Sequence, residues 1–124
     1  MIPKTLEEAI QELIKMNIPP NQLDSRSIRN AWGLWTGSEL SQWFYEKDIY
    51  HADDMSGIII ESYKDTIEGK SIDLENQIKL YHKHWEKCYG ENHLSIMREE
   101  TPFYKKSKDR ENKINKIIDD NIKS

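Results

Sequence analysis

The sequence predicts an all-α fold: a compact single domain of five or six short helices, closed by a C-terminal helix prone to fraying. Two observations predict it. Apolar residues recur at spacings of three and four along most of the chain, with helix-capping residues before the runs. No two alternating segments joined by a hairpin turn are present to form a sheet. At 124 residues, 36% hydrophobic and 32% charged, the chain is sized and composed for one core.

Thr5-Leu6-Glu7-Glu8 reads as a capping box, and Leu6, Ile10, Leu13 and Ile14 follow at helical spacing, so a helix is expected over 6–16. Pro19-Pro20 ends it. Asp24 or Ser25 caps a second helix with Ile28, Trp32 and Trp35 on one face, running to Thr36-Gly37. Gly33 inside that helix suggests close packing against another element. Ser38 caps a short third helix that turns Leu40, Trp43 and Phe44 inward.

Asp53 or Asp54 caps a fourth helix, striped by Met55, Ile59, Tyr63 and Ile67 and stopped at Gly69. A strand through 57–60 is the alternative, since Ile58-Ile59-Ile60 suits a buried strand equally well; helix is preferred because no partner strand is visible. Asp73 opens a fifth helix whose face carries Leu74, Ile78, Tyr81, Trp85 and Cys88, with Gly90 closing it. That face is expected to pack against the body. Leu94, Ile96 and Met97 belong to a less regular segment that can dock.

The helical body is drawn as 1–100 and a basic, amphipathic C-terminal segment as 101–124. The body holds 11 Lys and Arg against 18 Asp and Glu, and the segment 7 against 4. Ile114, Ile117, Ile118 and Ile122 form a helical stripe there, a candidate homodimer surface. Its lysines lie near the N-terminal end and Asp119-Asp120 near the C-terminal end, opposite to what the helix dipole favours.

Charge and composition exclude several function classes. An acidic body argues against nucleic acid, which is held by Lys and Arg on phosphates. No apolar run approaches the roughly 18 residues of a membrane span, and the opening residues lack a signal-peptide core. One Cys permits no internal disulfide. The expectation is a cytoplasmic protein without membrane or nucleic-acid partners. The 17 Ile, absent Val and 14 Lys against 4 Arg are associated with AT-rich coding in a bacterium or its phage.

Chemistry-bearing clusters are few. His84 and Cys88 share a helix face four apart, but a zinc site needs three or four ligands and no second pair is spaced for it, so no metal and no cofactor is expected. The plainer reading makes Cys88 a small core residue and His84 half-exposed. As a nucleophile Cys88 is poorly placed, because a helix C-terminus raises a thiol pKa. Five scattered glycines form no phosphate loop. What remains is Arg29, Asn30, Trp35, His51, Asp53 and Asp54. Arg29 can pair with Asp53 or Asp54 as a clamp between helices. Alternatively, Arg29, Asn30, Trp35 and His51 line an aromatic pocket in which Arg29 takes an anionic group.

The segments "RNAWGLW", "GSELSQWF" and "HADDMSGIIIESY" resemble a small bacterial family of uncharacterised domains, with "PKTLEEAIQEL" and "QIKLYHKHW" similar to its flanking helices. The resemblance spans roughly residues 3–90 and implies a short, largely helical domain. It implies no catalytic or binding residues. A shorter link before "RNAWGLW" departs from that family.

Three functions are compatible with these features. The first is a non-enzymatic binding module acting through a protein partner, of antagonist, immunity or anti-defence type, because five of twelve aromatics crowd into 32–45 on an acidic chain. The alternative is a binder of a small anionic or nucleotide-like ligand near Arg29 and Trp35. An enzyme using His51 with Asp53 or Asp54 ranks last.

Overall fold

The computed structural model describes residues 2–101. The stretch 102–124, with its basic cluster and the Ile114, Ile117, Ile118 and Ile122 stripe, lies outside the described residues. Six α-helices follow one another: α1 (Leu6–Met16), α2 (Ser25–Ala31), α3 (Glu39–Tyr45), α4 (Ala52–Ile67), α5 (Leu74–Tyr89) and α6 (His93–Glu99). Short 3-10 turns occupy Pro20–Gln22 and Gly90–Asn92. Among the described residues there is no strand, and none of the helices is long and apolar enough to cross a membrane.

Local capping explains most helix starts. The Thr5 hydroxyl accepts the Glu8 N–H at 3.2 Å, while the Glu8 carboxylate reaches one residue beyond a standard capping box to the Lys4 N–H at 2.7 Å. Asp24, Ser38 and Asp73 each accept a backbone N–H at the starts of α2, α3 and α5. Helix α4 differs from expectation. His51 is its N-cap, with Nδ1 accepting the Asp53 N–H at 3.1 Å, because both acids that follow are held by distant side chains.

Helix α4 is the centre of the domain, and 57–60 is helical. Met55, Ile58, Ile59 and Tyr63 are buried between Leu6, Ile10 and Leu13 of α1, Ile28 of α2, and Leu40 and Phe44 of α3. The Tyr63 hydroxyl closes the far end of this core by donating to the Ile18 carbonyl at 2.6 Å. Ile67, the last position of the expected stripe, is half-exposed because it lies past the reach of α1.

Helix α2 is shorter than its apolar spacing suggests. It ends at Ala31, and Gly33 takes φ +63° in the turn after it, so that the Leu34 N–H reaches the Arg29 carbonyl at 3.0 Å. That is a Schellman closure, in which glycine supplies the left-handed residue. Gly33 therefore serves the turn and not a helix–helix contact. The consequence is a parting of the two tryptophans: Trp32 stays in the core, and Trp35 is carried outward to 47% exposure.

Helix α5 runs antiparallel to α4, as three pairings show. Gln77 donates to the Ser62 hydroxyl, Tyr81 sits over Gly57, and Trp85 donates to Asp54. A Cβ at Gly57 would stand 2.5 Å from the Tyr81 oxygen, so glycine admits the ring there. None of the α5 side chains is buried; Leu74, Ile78 and Tyr81 pack partly against the core. Cys88 is exposed, not a core residue, because in this register it falls beyond the first residue of α4. His84 is exposed as well.

Candidate functional site

The N-terminal end of α4 gathers the residues singled out in the sequence. Arg29 projects from α2, and its Nη1 meets the Asp53 carboxylate and the Ser25 hydroxyl, each at 2.7 Å. Ser25 lies 2.6 Å from the Ser56 hydroxyl, which donates to the Asp53 carbonyl at 2.9 Å. With Ser56 donating onward, the Ser25 proton must point to Ser56. A one-way chain of donors thus runs from Arg29 through both serines and ties α2 to α4. The Arg29 guanidinium also lies 5.8 Å from the Trp35 ring centroid. Asn30 is exposed and takes no part in this network.

Asp54 points the other way. It is 7% exposed and accepts the Trp85 indole N–H at 2.7 Å. Burial pushes its carboxyl above the usual range, and the indole hydrogen bond and the His51 ring oppose that only in part. Asp53 and Asp54, adjacent in sequence, therefore bind opposite elements: α2 through Arg29, α5 through Trp85.

The same arrangement builds a column of rings. Trp35 meets His51 edge-on at 5.5 Å, His51 stacks on Trp85 at 5.5 Å, and Trp85 stacks on Tyr89 at 5.6 Å with planes 6° apart. The loop after α2, the N-cap of α4 and the last turns of α5 each supply part of it. Trp35 and Tyr89, at the two ends, are 47% and 41% exposed.

Beside His51 the column borders a cleft of about 150 Å³, lined by Trp35, Tyr45, Tyr50, His51, Met97 and Glu100 among others. Tyr45 and Tyr50 stack at 5.9 Å, and burial raises both phenols above their ordinary range. Arg29 and Asn30 are not in its wall. Among the described residues no three or more His, Cys, Asp or Glu side chains are grouped so as to hold a metal ion.

The comparison with protein families bears on this end of the molecule. Residues 25–66 match the model of a family described as a domain of unknown function, DUF6794. The match covers α2, α3 and nearly all of α4, about a third of the chain, and is shorter than the 3–90 that the sequence resemblance implies. It includes Arg29, Asn30, Trp35, His51, Asp53 and Asp54, whereas Trp85, Tyr89 and Glu100 fall outside it. No curated protein and no solved structure matches the chain.

Sequence reasoning missed Trp85 and Tyr89 as members of this site. The signal was present: they stand four apart on one helix, which places them on one face. Tyr45, Tyr50 and Glu100 had no such signal, because three separate elements bring them together.

Proposed function

We propose that this chain is a non-enzymatic binding module that acts on a protein partner through the face bearing Trp35, His51, Trp85 and Tyr89. The observation that carries the reading is the ring column itself, exposed at both ends and locked from below by the Arg29–Asp53 and Trp85–Asp54 contacts. Rigid tryptophan and tyrosine surfaces lose little side-chain entropy on binding and are favoured at interface hot spots. The acidic body steers such a face towards a basic partner and raises the association rate. An antagonist of the immunity or anti-defence kind, working inside a bacterial or phage-infected cell, is the class these properties suit best.

An anionic or nucleotide-like ligand at Arg29 and Trp35 has less to rest on, since the guanidinium is already matched by Asp53. The test is native mass spectrometry of the chain recovered from its source cell, alongside a Trp35→Ala, Tyr89→Ala double variant and a Leu80→Ala control. Leu80 is 68% exposed and takes no part in the column. A stoichiometric polypeptide retained by the control and lost by the double variant is expected. A complex indifferent to the double variant would overturn the proposal.

A further inference from the structure

We infer that the cleft between Trp35, Tyr45, Tyr50, His51, Met97 and Glu100 receives an alkylammonium group, the cationic end of a lysine-type side chain carried by the partner. Among the described residues the wall combines the rings of Trp35, Tyr45 and Tyr50 and the His51 imidazole with one carboxylate. Tryptophan and tyrosine ring faces attract cations through their quadrupole, and a carboxylate at the rim adds a full charge, whereas an anion would meet repulsion from both. Volume agrees, since about 150 Å³ accommodates a group of benzene size.

The charges around the cleft support the same sign. Among the described residues, the two cations beside its rings are already matched: Arg29 by Asp53 at 2.7 Å and Arg98 by Asp48 at 3.6 Å. Arg98 also lies 5.7 Å from the Tyr50 ring centroid and donates to the Tyr50 hydroxyl, so a ring of this wall already serves a cation within the molecule. Glu100, in contrast, makes no ion pair among the described residues and is exposed at the cleft. Its charge is left for a ligand.

The inference rests on the proposed recognition role of this face, but its test needs no partner. The full chain is titrated with choline and, in parallel, with 3,3-dimethylbutan-1-ol, the neutral carbon isostere of the same shape. The readout is the Trp35 indole N–H shift in NMR spectra. Saturable binding of choline is expected, with the isostere weaker by about tenfold. Glu100→Gln should weaken choline several-fold and leave the isostere unaffected. Lys105 and Lys106 follow Thr101, a residue of the cleft wall, by four and five positions in the sequence, so the titration is repeated in a Lys105→Ala, Lys106→Ala variant as a control for competition from the chain itself. Equal response to the two probes, or no saturable response in either chain, would overturn the inference. A chain that binds choline yet captures no protein would sink only the partner reading. One that captures a protein through Trp35 while ignoring choline would sink only this one.

Discussion

The Trp85 indole donates to the Asp54 carboxylate across 31 positions of sequence, and this contact joins α5 to the N-terminal end of α4. Removing the donor with Trp85→Phe leaves a buried carboxylate short of a partner and should cost about 1–3 kcal/mol of stability. Asp54→Asn keeps an acceptor for the indole and removes the charge. Because burial raises the native carboxyl above its unfolded value, the native state holds the proton more tightly. Wild-type stability contributed by Asp54 is therefore fullest below the unfolded value, about 3.9, and declines as pH rises through the raised native one. Urea midpoints of the two proteins across that window should show Asp54→Asn gaining on wild type as pH rises; a constant difference would refute this.

Gly33 sits at φ +63°, and a Cβ there would stand 3.0 Å from the Thr36 hydroxyl. Gly33→Ala should lose about 1–2 kcal/mol from the left-handed conformation alone. Gly33→Asn should lose less, since asparagine tolerates that region. The Trp35 indole N–H resonance should move with Gly33→Ala, because this turn is what carries the ring outward.

At Gly57 helix propensity and space oppose each other. Alanine would improve an interior helix position by about 1 kcal/mol, but its Cβ would meet the Tyr81 oxygen at 2.5 Å. Tyr81→Phe removes that oxygen. Gly57→Ala should therefore stabilise the Tyr81→Phe protein by about 1 kcal/mol and help the wild type less or harm it. Thermal melts of the four proteins decide the point, and identical gains in both backgrounds would count against the contact.

His51 has two separable duties: its Nδ1 caps α4, and its ring joins Trp35 to Trp85. His51→Ala loses both, whereas His51→Asn keeps a side-chain acceptor at the cap. The asparagine protein should be the more stable by about 1 kcal/mol, and both should bind choline more weakly than wild type. Equal stability of the two variants would mean that the cap bond contributes nothing.

How much of this was legible beforehand follows from the range of the interactions involved. The bounds of α1 and the caps Thr5, Ser38 and Asp73 depend on hydrogen bonds within three residues, and the sequence displays them directly. The cap of α4 does not. Asp53 and Asp54 both look like caps, yet Arg29 and Trp85, 24 and 31 positions away, claim their carboxylates, and the histidine before them takes the role. Spacing likewise put Trp32 and Trp35 on one face, because periodicity is blind to the point where Gly33 ends the helix. The Arg29–Asp53 clamp was one of two alternatives, and the ion pair forms. The cleft was illegible, since its wall draws on a loop after α2, on α3, on the approach to α4 and on α6.

Helix α5, with no fully buried side chain, is fastened to α4 by a few lateral contacts and by three side chains packed only partly against the core. Segments secured in that manner open at a free energy well below that of global unfolding. Amide protons of α5 should consequently exchange with solvent sooner than those of α1 or the middle of α4. Half of the ring column would swing away in each such excursion, and a ligand that grips Trp85 or Tyr89 would slow the exchange of the whole helix. Occupancy of this face thus has a clock of its own, readable in deuterium uptake far from the point of contact.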